Sequence, residues 1–276
     1  MRKYYFIFFT LLAFFYNSFA VPQKLEDIIL RKKEFQIDFI FSYNNTSFNN
    51  IADKEIIYQD ILYYVINLRY DLTDRFEIFL FGSYVFNFLK NFDQEDLKLQ
   101  KGSFNNLGPA GGGFSLQIKK EGTFPGLTLS LVSNIYDRLI IGGEEKKAWF
   151  DSYSLYLSTY YTIDPVVLFI TSMYRYNKSI NIDGKNFDYG DTFFISPQFY
   201  FLANPYLSIN VGLRYIYQGK DKLDDRTIMI ERNLLGFLVG LNYELKEGLF
   251  ISVDGEFRYK SDYSHNILNA RLTFRF

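Results

Sequence analysis

From residue 34 onward, apolar and polar side chains alternate with a period of two, in twelve stretches separated by polar or turn-forming residues. In the first stretch Phe35, Ile37, Phe39, Phe41 and Tyr43 share one face, and Gln36, Asp38 and Ser42 the other. In the second, Leu62, Tyr64, Ile66 and Leu68 back onto Tyr63, Val65, Asn67 and Arg69. The last, residues 266–276, sets Leu268, Ala270, Leu272, Phe274 and Phe276 against Asn269, Arg271, Thr273 and Arg275. Such alternation predicts β-strands with one greasy and one wet face. Tight turns near Thr73, Glu121, Pro165, Asn204 and Glu247 interleave with longer polar links at 44–55, 90–108, 137–149, 177–190 and 218–227.

An even strand number with short turns at one end and long links at the other is the pattern of a transmembrane barrel. The predicted fold class is therefore all-β: a twelve-stranded antiparallel up-and-down transmembrane barrel over residues 34–276, with both ends of the barrel chain on the short-turn, periplasmic side. A soluble barrel would put its apolar face inside. Here the charges fall in mid-strand on the non-apolar face, while Tyr and Phe crowd the strand ends of the other, as in an aromatic girdle. A charge on the lipid face costs about 2–4 kcal/mol at the bilayer midplane, so the charged face is the interior. An open sheet in lipid would leave backbone groups unpaired, so the first strand must close on the twelfth. Two places fit badly. Pro197 lies inside the eighth strand, which predicts a bulge there, and the run Gly111, Gly112, Gly113 gives the fourth strand a weak start.

Composition narrows the class further. Residues 1–20 read as a secretory signal peptide: Arg2 and Lys3, an uncharged apolar run over 4–16, and small residues at Ser18 and Ala20. Residues 21–33 read as a periplasmic leader. Removing Arg2 and Lys3 from 30 basic residues leaves 28 against 31 acidic ones, a balance without the basic surface that nucleic acid needs. The absence of cysteine excludes a lipoprotein anchor and a thiol nucleophile. The expected location is the outer membrane of a Gram-negative cell.

Residues 69–78 read Arg-Tyr-Asp-Leu-Thr-Asp-Arg-Phe-Glu-Ile, and residues 111–135 run from Gly-Gly-Gly-Phe-Ser-Leu-Gln-Ile through Pro125-Gly126-Leu127 into a further strand. Both resemble the outer-membrane family known as the MetA pathway of phenol degradation, whose strand–turn–strand signature is of the kind R-Y-G-L-T-D-R-L-E-L followed by G-D-x-x-L-G-L-K. Asp71 replaces the usual Gly, and Gly112-Gly113 stands where a Gly-Asp pair is common. The resemblance covers strands two to five; it implies a barrel that passes small, often hydrophobic, organic molecules. The terminal Phe276 resembles the carboxy-terminal aromatic read by the barrel-assembly machinery, which joins outer-membrane lipids and a small-molecule solute as expected partners.

The candidate functional residues are the inward charges Asp38, Arg69, Glu77, Arg175 and Arg214, together with Asp254, Glu256, Arg258 and Arg271 near the closing seam. Arg271 is expected to meet Asp254 on one side and Asp38 on the other. These charges form either a ladder of ion pairs that stiffens a filled barrel or a constriction with opposed acid and base. Twelve strands lie between barrels filled by their own side chains and open porins, so a narrow channel is expected, narrowed further by Phe79, Phe81, Tyr156 and Tyr200. The predicted function is a channel or facilitated-diffusion pore for small polar or amphipathic solutes, aromatic ones among them, with no enzymatic role, no catalytic residue, no metal and no cofactor. A rival is a lipid-modifying esterase or deacylase using the lone histidine, His265, expected at the outer rim, where a serine from a neighbouring strand, such as Ser261 or Ser252, would have to approach it. A second rival is an adhesive barrel with a blocked lumen. Asp183, Asn186, Asp188 and Asp191 cluster in one loop but lack the spacing of a calcium loop.

Overall fold

The computed structural model describes residues 34–50, 55–93, 98–141, 144–182, 184–204, 206–260 and 263–276. The predicted signal peptide and leader lie outside the described residues. Twelve strands form one closed antiparallel barrel: β1 (Phe35–Asn50), β2 (Glu55–Thr73), β3 (Phe76–Asp93), β4 (Lys98–Lys119), β5 (Gly126–Ile141), β6 (Glu144–Ile163), β7 (Val166–Asn177), β10 (Thr192–Asn204), β11 (Leu207–Gln218), β14 (Arg232–Lys246), β15 (Leu249–Lys260) and β16 (Tyr263–Arg275). β1 closes on β16 with Asp38 opposite Thr273 and Thr46 opposite His265. Phe35 and Phe276 seal the seam at the tight-turn end with two backbone hydrogen bonds, at 3.1 and 2.9 Å, and their rings stack at 6.5 Å. No backbone edge of the barrel is left to lipid, as a membrane span requires.

Every apolar file predicted to face lipid does face outward. Leu80 and Phe199 are more than half exposed on the barrel exterior, whereas Gln36, Asp38, Ser42 and Asn44 on the other parity are fully buried. This belt of Phe, Tyr, Leu and Ile makes the exterior suited to hydrocarbon, and the barrel spans a membrane with strands.

Three of the predicted long links are largely strand. β1 and β2 pair as far as Asn50 and Glu55, β3 and β4 to Asp93 and Lys98, and β5 and β6 to Ile141 and Glu144. Beyond the bilayer neither face meets lipid, so period-2 hydrophobicity fades while backbone pairing continues. β4 reaches 22 residues, about twice the 9–11 that cross a bilayer, so this wall stands well outside the membrane. β7 and β11, with 12 residues each, stop near the membrane surface. Above them lies a second sheet of short strands, β8 (Ile180–Ile182), β9 (Lys185–Asp188), β12 (Asp221–Leu223) and β13 (Arg226–Met229), joined through β9 and β12. The predicted loops 177–190 and 218–227 are thus two hairpins sharing one outer sheet.

The two misfits resolve differently from expectation. Pro197 makes no bulge: the β7 ladder runs straight through Pro197–Ile170, and the β11 ladder skips Ser196 and Pro197 and resumes at Gln198–Gly212 in the same register. Proline lacks the donor that the opposite carbonyl needs, and the Ser196 hydroxyl supplies it, donating to the Leu213 carbonyl at 3.1 Å. The glycine run is in the middle of β4, opposite Phe79, Leu80 and Phe81. A Cβ at Gly113 would lie 2.0 Å from the Leu131 carbonyl oxygen and 2.8 Å from the Phe79 ring, and one at Gly111 would lie 2.6 Å from the Phe81 ring. The rings lie over the glycines, which is why both are needed.

Candidate functional site

The interior is filled unevenly. Tyr63, Val65, Ile61, Val85 and Ile40 make one buried apolar cluster on β1–β3, and Tyr160, Val167, Phe169 and Tyr200 make another on β6, β7 and β10. At mid-height the side chains leave a cavity of about 140 Å³, bounded by residues from ten of the twelve strands. Its charged lining residues are Asp38, Arg69, Glu77, Arg214 and Arg271; its aromatic ones are Phe79, Phe81, Tyr156, Phe169 and Phe194.

All nine predicted charges face the interior, and strand register sorts them by height. Asp38, Arg69, Glu77 and Arg271 lie toward the tight turns; Arg175, Arg214, Glu256 and Arg258 lie toward the end of the long links, and Asp254 lies between. Five of the nine line the cavity; Arg175, Asp254, Glu256 and Arg258 do not. Arg69 grips Glu77 with two parallel bonds, Nε to Oε1 at 3.0 Å and Nη2 to Oε2 at 2.6 Å, the fork geometry that makes such pairs strong. Glu256 is shared by two guanidiniums, Arg214 Nη1 at 2.6 Å and Arg258 Nε at 2.5 Å. That bridge spans β14 from β11 to β15 because the intervening residue is Gly236, where a Cβ would come within 2.9 Å of the Glu256 carboxylate. Arg214 also lies over the Phe194 ring at 4.9 Å, a cation–π contact. Arg175 donates to Ser152 Oγ at 2.7 Å.

The expected contacts of Arg271 are not formed. Its direct neighbours across the ladders are Ile40 and Ser252, so Asp38 and Asp254 are each one inward position away on a diagonal. Asp38 instead accepts from Gln36 Nε2 at 2.9 Å, Asn67 Nδ2 at 3.0 Å and Thr273 Oγ1 at 2.7 Å. Asp254 accepts from Asn269 Nδ2 at 2.7 Å. Among the described residues no carboxylate oxygen lies within 4 Å of the Arg271 guanidinium, and its Nε is buried without a hydrogen-bond partner.

His265 is not a rim residue. It is fully buried inside the barrel, opposite Arg258, with its ring stacked on Tyr263 at 6.2 Å and its Nδ1 in a 2.8 Å hydrogen bond with Thr46 Oγ1. Ser264, on the other face, pairs its hydroxyl with that of Ser47. Ser252 is six residues away along β15 from the partner of His265, roughly 20 Å at about 3.3 Å per residue. Ser261 lies outside the described residues, as does Asp183. The remaining loop carboxylates are engaged in local hydrogen bonds: Asp191 accepts from Tyr174 Oη and from the Asn177 amide, and Asp188 from Ser179 Oγ; Asp221, on β12, accepts from the Gly190 amide.

Sequence reasoning missed Phe169 and Phe194 as lumen residues. Parity could have found them: counting in twos from Arg175 gives Phe169, and from Ser196 gives Phe194. It also missed that Gly236 and Gly240 leave gaps over which inward side chains reach.

No protein-family model matches the chain, and no curated protein matches it. Among solved structures it is similar to an outer-membrane channel from Pseudomonas putida F1, with a TM-score of 0.65 at 12% identity, covering 92% of this chain and 100% of that one. It is equally similar to the transport unit of the autotransporter AIDA-I from Escherichia coli, with a TM-score of 0.65 at 12% identity, covering 98% and 97%. A third is the monoaromatic hydrocarbon channel CymD, with a TM-score of 0.51 at 7% identity, covering 89% and 88%. At these identities the likeness is one of architecture, and with the apolar belt and the closed seam it gives the chain the fold of an outer-membrane β-barrel.

Proposed function

We propose that this protein is an outer-membrane channel through which small polar or amphipathic solutes, aromatic ones included, diffuse. The observation that carries the reading is the mid-barrel cavity, lined by both charged side chains and aromatic rings. A barrel built only for rigidity has no need of such a space. Two of the similar folds are described as channels, one of them for monoaromatic hydrocarbons, and the resemblance of residues 69–78 and 111–135 to the phenol-degradation transporter family supports the same class of solute. An export leader cleaved after Ala20 and an assembly signal at Phe276, which is largely exposed at the periplasmic end, belong to this proposal.

Planar-bilayer recording of folded, heat-modifiable protein tests it, together with liposome flux across a panel of sugars, nucleosides and single-ring aromatics. Discrete conductance steps and flux of at least one solute class are expected. A silent bilayer and no flux above that of empty liposomes would refute it.

A further inference from the structure

We propose that the mid-barrel cavity is a binding site for a small monoaromatic carboxylate, of the benzoate type, with Arg271 as its anion anchor. The assignment deepens the channel reading and rests on it for its physiological meaning, but the site is defined by its own chemistry.

Three guanidiniums line the cavity, and two are ion-paired. Arg69 holds Glu77, and Arg214 holds Glu256. Arg271 alone of the three has no carboxylate within 4 Å among the described residues, although it is only 7% exposed and its Nε lacks a partner. A buried cation without a counter-charge or full hydrogen bonding is costly. Neither nearby carboxylate bonds it: the oxygens of Asp38 accept from Gln36, Asn67 and Thr273, and Asp254, which feels the Arg271 charge without an ion-pair contact, accepts from Asn269. A planar guanidinium is suited to a carboxylate, which it can bind with two parallel hydrogen bonds.

The rest of the ligand follows from the aromatic lining. Phe79, Phe81, Phe169 and Phe194 line the same space. Its volume, about 140 Å³, is close to the roughly 150 Å³ of an engineered apolar cavity that takes up benzene. One ring therefore fits. The ligand that satisfies both the free guanidinium contact and the rings has one aromatic ring and one negative charge.

The test is equilibrium binding by isothermal titration calorimetry to the detergent-folded barrel, with benzoate, its neutral isostere benzamide, and acetate as probes. Benzoate is expected to bind at least tenfold more tightly than either control, because benzamide lacks the charge and acetate the ring. Arg271→Gln is expected to lose that advantage, Arg271→Lys to keep part of it, and Asp38→Asn to tighten benzoate binding by removing a nearby negative charge. If Arg271→Gln fails to fold, the benzoate–benzamide comparison on the native protein and the Arg271→Lys variant still decide. Equal affinity for benzoate and benzamide, or benzoate binding untouched by Arg271→Gln, would overturn the assignment. A conducting barrel that ignores benzoate refutes this site and leaves the channel standing. Arg271-dependent benzoate binding by a barrel that conducts nothing does the reverse.

Discussion

Glu256 is the side chain on which the upper charge cluster depends. Its two carboxylate oxygens serve two arginines from different strands, Arg214 on β11 and Arg258 on β15, with all three side chains almost completely buried. Glu256→Gln keeps the shape and removes the charge both guanidiniums share. Breaking a buried ion pair by removing one partner costs about 3–5 kcal/mol, mostly the cost of leaving the other charge uncompensated. With two pairs on one carboxylate, the expected loss lies at or above the upper part of that range. The assay is guanidinium-induced unfolding of the barrel in phospholipid vesicles, followed by tryptophan fluorescence and by heat-modifiable mobility on gels. A companion variant checks the cause. Arg214→Met combined with Glu256→Gln removes one stranded cation along with the anion, so the double change should cost less than the sum of the two single ones. A single-variant loss below about 1 kcal/mol, or strict additivity of the pair, would refute the claim that the stranded charges set the magnitude.

Other predictions follow from the same geometry. Gly113→Ala forces a methyl group against the Leu131 carbonyl oxygen and the Phe79 ring, and should lower stability by about 1–3 kcal/mol in the same unfolding assay. Ser196→Ala leaves the Leu213 carbonyl opposite Pro197 without its donor, at an expected cost of about 1–3 kcal/mol, whereas Ser196→Thr should preserve it. Asp221 in the outer sheet has its pKa raised from 3.8 to about 6, chiefly by burial and despite the Gly190 amide. The folded state therefore binds the proton more tightly than the unfolded one. The stabilisation from protonated Asp221 is complete below pH 4 and is lost as pH rises through about 6, roughly 3 kcal/mol in all. Hydrogen exchange of the β9 and β12 amides, corrected for intrinsic rates, should speed up from pH 5 to pH 8, and Asp221→Asn should flatten that dependence; protection that rises with pH would contradict it.

The sequence by itself determined which residues face lipid and which face the interior. A strand between hydrocarbon and lumen must alternate, and no register error of one residue is tolerated when a mid-bilayer charge costs about 2–4 kcal/mol. That rule placed all nine interior charges, from Asp38 to Arg271, on the correct face, and the alternation of tight turns with long links gave the order of the strands. It failed where its physical basis ends. Outside the bilayer both faces meet water, so the extended walls of β3 and β4 and the outer sheet of β8, β9, β12 and β13 carry no period to read. The partners of each charge were also beyond it. Whether Arg271 meets Asp254 or faces a cavity depends on an offset of one inward position across the β15–β16 ladder, and His265 is interior because β1 and β16 pair beyond it. Likewise, Glu256 reaches Arg214 only because Gly236 stands between them. Face is a property of one strand and is written in its residues. Height, partner and empty space are properties of neighbouring strands together, and only the closed barrel decides them.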